Sequence, residues 1–138
     1  MSMGKPFPVE KSLDEWQREL TTLQFRVLRE HGTELAGTST LNHEHRPGLF
    51  RCGGCSQPLF QARAKFDSGT GWPSFSEPLE GAVGTSQDAS HAMHRTAVHC
   101  ARCGGHLGHV FPDGPAPTGL RYCMNGAALA FEPADGSD

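Results

Sequence analysis

Two pairs of cysteines with the same spacing are the clearest chemical signal in the sequence. Cys52 and Cys55 form one C-x2-C pair, and Cys100 and Cys103 form the other. Four thiolates on two such turns match the tetrahedral coordination that zinc prefers in structural sites. The spacing therefore predicts one structural zinc ion per chain, which would join two segments that lie far apart in the sequence.

A thioredoxin-like redox pair is the alternative role for these cysteines, and it requires a cysteine at the start of a helix that follows a strand. Both pairs instead lie among glycines and prolines. Gly104 and Gly105 follow the second pair directly, and they allow backbone N–H groups to point at the sulfur atoms. This context favours zinc. Because four cysteine ligands would complete the coordination, the metal would not activate water, which disfavours a zinc hydrolase.

The chain has five cysteines, so one of them lies outside the two pairs. This residue is Cys123, and strand periodicity places Arg121, Cys123 and Asn125 on one face. A nearby arginine lowers the pKa of a thiol and increases the fraction in the nucleophilic thiolate form. The alternative is that Cys123 is a small buried hydrophobic residue, as lone cysteines often are.

Two histidines follow the second cysteine pair and are candidates for acid–base chemistry. His106 and His109 are three residues apart, and imidazoles are the side chains best suited to proton transfer near neutral pH. On a regular strand this odd spacing points them to opposite faces, so joint action requires a bend, which Gly108 could provide. Metal binding and a plain surface position are alternatives that the spacing leaves open.

The elements that position these residues are short. Ser12 with Glu15, and Thr21 with Gln24, have the spacing of helix capping boxes, which predicts a helical segment over about residues 12–31. Glycine and proline then recur around short apolar stretches, which predicts antiparallel strands and a β core over about residues 48–132. With 138 residues, we expect a single domain over 1–138.

Composition and charge exclude several classes of function. The formal net charge is −3 and like charges form no block, so the chain lacks the basic stripe that binds nucleic acid. No apolar stretch is long enough to span a bilayer, and the first eight residues do not resemble a signal peptide. We therefore expect a cytoplasmic protein, where thiols stay reduced and a disulfide scaffold is disfavoured.

Together these segments closely resemble the B-type methionine sulfoxide reductases, the peptide-methionine (R)-S-oxide reductases. The resemblance runs from about Trp16 to Phe131, and it includes FDSGTGWPSF at 66–75, HLGHVF at 106–111 and GLRYC at 119–123. It implies a mainly β fold of two antiparallel sheets, β-tent-like, with short helices at the amino end. The zinc-bound pair of C-x2-C turns would staple this fold together.

The resemblance also implies a reaction. A cysteine thiolate attacks the sulfoxide sulfur, an acid protonates the departing oxygen, and the cysteine becomes a sulfenic acid. The positions that match the family's site are Cys123, His106, His109, Asn125, Arg121 and Trp72. The resemblance implies that Cys123 is the nucleophile and that His106 and His109 are proton donors and hydrogen-bond partners. It also implies that Asn125 orients the histidines and that Arg121 favours the thiolate. Trp72 would contact the substrate methyl group. Alone, Trp72 would be a core or turn residue.

The sequence departs from the common family pattern at Thr70, where many relatives have a cysteine that attacks the sulfenic acid. Four of the five cysteines are predicted zinc ligands, so no thiol remains for this step. We therefore expect thioredoxin or a small thiol to reduce the sulfenic acid directly. The substrate would be oxidised protein, with free methionine sulfoxide as a further candidate, and the enzyme a monomer. The rival interpretation is a noncatalytic zinc module that binds a protein partner.

Overall fold

Two short helices precede nine strands in the computed structural model, which describes residues 7–89 and 94–134. The helices are α1 (Leu13–Glu19) and α2 (Thr22–Glu30). The strands are β1 (Gly48–Cys52), β2 (Pro58–Gln61), β3 (Lys65–Phe66), β4 (Ser74–Phe75), β5 (Val83–Asp88), β6 (Arg95–Cys100), β7 (His106–Phe111), β8 (Arg121–Met124) and β9 (Leu129–Pro133). No helix within these described ranges has the length and apolar character needed to cross a bilayer.

The strands form two antiparallel sheets, as expected for this chain. One has three strands in the order β2-β1-β9, and the other has six in the order β3-β4-β8-β7-β6-β5. The predicted mainly β fold with short amino-terminal helices is confirmed. Because β4, β8 and β7 are neighbours in the larger sheet, their side chains on one face can share a single site.

Local sequence signals explain both helices. Each begins with a complete capping box, Ser12 with Glu15 in α1 and Thr21 with Gln24 in α2, which satisfies backbone N–H groups at the start of the helix. The C-cap of the second helix is His31, which adopts the left-handed conformation with φ of 58°. This position places the His31 ring beside the larger sheet.

The core lies between the two sheets and beneath the helices. Phe50 of the smaller sheet packs against Phe75 of the larger one with ring centroids 5.0 Å apart, and Phe60 stacks on Phe75 at 4.3 Å. All three rings are fully buried. Burial of such large aromatic surfaces stabilises the contact between the sheets, and it gives the larger sheet a rigid inner face.

The segment between α2 and β1 is more ordered than its polar sequence indicated. It contains a 3-10 turn at Thr40–His43, and Glu34 within it is only 4% exposed. The reason is tertiary, because Glu34 is hydrogen-bonded to residues 91 to 93 positions away in the sequence.

Candidate active site and cysteine cluster

The four paired cysteines converge on one point. Their Sγ atoms all lie within 4.8 Å of one another. The Sγ atoms of Cys52 and Cys103 are 3.7 Å apart, and those of Cys55 and Cys100 are 3.6 Å apart. A tetrahedral zinc site with Zn–S bonds of about 2.3 Å has S···S edges of about 3.8 Å, so the sulfur atoms are spaced to fit this ion.

Backbone groups complete the surroundings of this cysteine cluster. The N–H groups of Gly54, Arg102 and Gly105 donate to cluster sulfurs at 3.3 to 3.4 Å. Such donors stabilise thiolates and orient metal ligands, as we expected for the glycines after the second pair. Because Cys52 ends β1 and Cys100 ends β6, a metal held here would join the two sheets.

Cys123 lies in the middle of the larger sheet and outside this cluster. On β8 it is paired with Ser74 of β4 on one side and His109 of β7 on the other. Its side chain is half-buried and reaches a cavity of about 260 Å³. The cavity is lined by Thr33, Thr70, Trp72, Arg95, Gly108, His109, Phe111, Arg121, Cys123 and Asn125. Five of the six predicted site residues are thus brought together, and His106 is the exception.

The thiol of Cys123 is less acidic than the sequence indicated. Burial raises its pKa, although Thr70, Arg121 and Ser74 act to lower it. The predicted effect of Arg121 is present but does not dominate. Its guanidinium is bound by both oxygens of Asp113, at 2.9 and 3.2 Å, and this pairing offsets its charge.

Both histidines occupy the same face of β7 because of a bulge. His106 is paired with His99 and Gly108 with Val98, so Leu107 is an extra residue without a partner on β6. One extra residue shifts the alternation of side chains, and the two imidazoles come within 5.4 Å of each other, centroid to centroid. The bend expected at Gly108 therefore lies at Leu107, whose side chain is buried in the core.

Gly108 has a different role from the one predicted. A Cβ atom at this position would lie 2.1 Å from the carbonyl oxygen of Cys123. Such a contact is impossible without separating β7 from β8. The glycine thus permits the close approach of the strand that carries the histidines to the strand that carries the nucleophile candidate.

The two histidines have different environments. His109 lines the cavity, and its Nε2 is 2.7 Å from Oδ2 of Asp88. His106 is 3% exposed and stacks on His31 at 4.9 Å. Burial lowers the pKa of His106 to about 4, with the neighbouring His31 and His109 adding to the effect. At neutral pH His106 is therefore uncharged.

Asn125 and Trp72 are held by backbone partners. The amide oxygen of Asn125 accepts from the N–H of Glu34 at 2.9 Å, and its Nδ2 donates to the carbonyl of Leu107 at 3.1 Å. These bonds reach the backbone between the histidines, so the predicted orienting effect of Asn125 would act through Leu107. The indole Nε1 of Trp72 donates to the carbonyl oxygen of Glu34 at 3.1 Å, which fixes the ring at the cavity wall.

The sequence interpretation missed Glu34, Asp88 and Asp113 as neighbours of the site. Asp88 ends β5, and its carboxylate also accepts from Arg95 at 3.4 Å. Nothing in the local sequence distinguishes Glu34 and Asp88 from solvent-exposed carboxylates. Only Asp113 carried a signal, because it directly follows the matched stretch HLGHVF and Pro112.

Comparison with known proteins agrees with this geometry. The family described as "SelR domain" matches residues 20–133. The chain is 56% identical over 126 residues to "Peptide methionine sulfoxide reductase MsrB" of Bradyrhizobium diazoefficiens, covering 91% of each chain. It is also 56% identical over 136 residues to the protein of that name from Thiobacillus denitrificans, covering 98% of this chain and 100% of the relative.

A third relative of the same name, from Agrobacterium fabrum, is 54% identical over 126 residues, 91% of this chain and 93% of that protein. Matches of this extent to enzymes favour catalysis over a noncatalytic zinc module that binds a partner. They support an oxidoreductase that reduces methionine sulfoxide. The chain therefore belongs to the B-type methionine sulfoxide reductase family.

Proposed function

We propose that this enzyme reduces the R epimer of methionine sulfoxide in oxidised proteins, with Cys123 as the nucleophile. The observation that carries the proposal is the position of the Cys123 side chain in the same cavity as Trp72, His109 and Asn125. The cavity has an aromatic wall for a methyl group and an imidazole for an oxygen, and a sulfoxide presents both from one sulfur atom. Free methionine sulfoxide is a second substrate small enough for this cavity.

The reaction transfers one oxygen atom and two electrons. The Cys123 sulfur attacks the sulfoxide sulfur, and a proton goes to the sulfoxide oxygen. This oxygen moves from the substrate sulfur to the cysteine sulfur, so that the substrate S–O bond and the transient S–S bond break, methionine leaves and Cys123 becomes a sulfenic acid. The substrate sulfur is reduced by two electrons and the cysteine sulfur is oxidised by two, so this half of the cycle is balanced.

His109 is the proton donor best supported by its surroundings. It lines the cavity, and Oδ2 of Asp88 lies 2.7 Å from its Nε2 and holds the ring in place. His106 is neutral at working pH and lies behind His109, so we assign it a supporting role. Arg121 favours the thiolate once substrate fills the cavity, because exclusion of water strengthens its attraction for the negative sulfur.

The arrangement also accounts for a preference between epimers. A sulfoxide sulfur carries an oxygen, a methyl group, the rest of the side chain and a lone pair. If the oxygen points to His109 and the methyl to Trp72, the peptide must leave through the cavity mouth. The mirror epimer exchanges the methyl and the oxygen, which leaves an unpaired polar oxygen against the indole.

We further propose that an external thiol, from thioredoxin or a small molecule, regenerates Cys123. The thiol attacks the sulfenic acid, water leaves, and a second thiol resolves the mixed disulfide. Zinc held by Cys52, Cys55, Cys100 and Cys103 would have a structural role, because four thiolates leave no open position for a substrate. The single domain, the monomeric state and the cytoplasmic location stay predictions from the sequence.

Turnover of the separated R and S epimers, with dithiothreitol as reductant, tests the proposal. We expect reduction of the R epimer alone and complete loss of activity in Cys123→Ser. His109→Asn should lose at least about a hundredfold in kcat, whereas His43→Asn, at an exposed position, should keep the wild-type rate. Equal rates on both epimers, or activity in Cys123→Ser, would contradict it.

A further inference from the structure

Glu34 is a buried carboxylate to which the proposed reaction assigns no role. It lies four residues after the end of α2 and is 4% exposed. Its Oε2 accepts from the N–H of Gly126 and its Oε1 from the N–H of Ala127, both at 2.8 Å. These donors begin the 3-10 turn Gly126–Ala128, which directly follows Asn125. The side chain therefore ties the loop after α2 to the end of the strand that carries Cys123.

The backbone of Glu34 holds two further parts of the site. Its N–H donates to the amide oxygen of Asn125 at 2.9 Å, and its carbonyl accepts from the Trp72 indole at 3.1 Å. One residue thus contacts two separate segments around the cavity, residues 125–127 and Trp72. Of these contacts, only those of the carboxylate depend on the side chain. A substitution at Glu34 therefore removes the carboxylate contacts directly, whereas the backbone N–H and carbonyl groups remain.

The lack of a side chain at Gly126 permits this contact. A Cβ atom at Gly126 would lie 1.9 Å from Oγ of Ser39 and 3.3 Å from Oε2 of Glu34. A larger residue would push the turn away from the carboxylate.

We propose that Glu34 is a positioning residue, whose carboxylate anchors its own backbone so that Trp72 and Asn125 stay at the cavity wall. This inference rests on the proposed function for its catalytic consequence. Loss of the carboxylate would leave two backbone N–H groups without partners and release the loop. Trp72 would then lose its fixed orientation toward the substrate methyl group, which weakens substrate binding more than it slows the chemical step.

The test compares Glu34→Gln and Glu34→Ala with Glu77→Gln, a change at an exposed carboxylate. Glutamine keeps one oxygen acceptor but places an NH2 group against the second backbone donor, whereas alanine loses both acceptors. We expect KM for the R epimer to rise about tenfold in Glu34→Ala, as for one lost hydrogen bond to a charged group. The rise should be smaller in Glu34→Gln, and kcat should change less than KM in both.

The second readout is the NMR signal of the indole N–H groups, which needs no turnover. The chain has two tryptophans, and among the described residues the buried Nε1 of Trp16 has no hydrogen-bond partner, so its signal is an internal reference. We expect the Trp72 signal to move in Glu34→Ala while the Trp16 signal stays. An unchanged Trp72 signal with unchanged KM would overturn the proposal, and so would a parallel loss of both signals, which indicates unfolding.

The two proposals can fail separately. If the wild-type protein reduced neither epimer, the proposed function would be wrong. The indole measurement would still decide whether Glu34 positions Trp72, since it depends only on the folded chain.

Discussion

Replacement of Thr70 by cysteine would place a second thiol next to Cys123. In the wild-type structure Oγ1 of Thr70 is 3.9 Å from Sγ of Cys123. A disulfide requires the two sulfurs to be about 2.05 Å apart, so closure needs a movement of about 2 Å, which side-chain rotation can supply. The variant should therefore recycle through an internal disulfide that the wild-type chain cannot form.

In the described part of the chain, Cys100 of the cysteine cluster is out of reach of Cys123. Cys123 is paired with His109, which is paired with Ala97 on the next strand. Two strand spacings separate Cys123 from Ala97, about 10 Å, and Cys100 is three residues further along β6, again about 10 Å. The resulting Cα separation of about 14 Å is twice the limit of about 7 Å for a disulfide.

The kinetic consequence is a change in dependence on reductant. A thiol at position 70 acts as though present at millimolar concentration or above. Decay of the sulfenic acid should then be independent of external thiol below about this concentration. In the wild-type enzyme the same decay should rise in proportion to the external thiol.

Thiol counting and peptide mapping after one equivalent of substrate, without reductant, provide the assay. The wild-type protein should lose one thiol of five and gain an oxygen on Cys123. Thr70→Cys, which has one thiol more than the wild-type chain, should lose two thiols and yield two peptides linked by a disulfide. Thr70→Ser, which keeps the hydroxyl, is the matched control and should behave as wild type. An internal disulfide in wild-type protein, or none in Thr70→Cys, would refute the geometry.

Four further outcomes follow from the structure. Alkylation of Cys123 by iodoacetamide should rise with pH through a midpoint above that of an ordinary thiol, because burial raises its pKa. Arg121→Met should slow the reaction several-fold at neutral pH, and exposed Arg63→Met should not; equal rates would show that Arg121 does not act on the thiol. Chelation of the metal should lower the melting temperature by roughly 10 °C or more, with activity lost in parallel, and activity lost first would instead indicate a catalytic metal. Gly108→Ala should cost roughly 1–3 kcal/mol of stability by forcing β7 from β8, and wild-type stability in a urea titration would contradict the close approach of the two strands.

Features set by local spacing were predictable from the sequence. Both capping boxes are present where the residue spacing placed them. The four paired cysteines also converge as their turns predicted. These signals are short-range, since a capping box spans four residues and each C-x2-C turn presents its two sulfurs together.

Features that depend on pairing between strands were not predictable. The bulge at Leu107 brings His106 and His109 together, and no pattern in the stretch HLGHVF distinguishes a bulged strand from a regular one. Asp88 contacts His109 from 21 residues away, in a strand whose exposed side chains are typical of a solvated edge.

The sequence by itself determined which chemical groups the candidate site and the cysteine cluster contain: one lone thiol, two imidazoles, an indole and four paired thiols. The tertiary structure decided how those groups behave. Burial, which no residue specifies alone, raises the pKa of Cys123 against the effect of Arg121 and keeps His106 neutral. The physical reason is that solvation and charge pairing depend on neighbours brought together from distant parts of the chain.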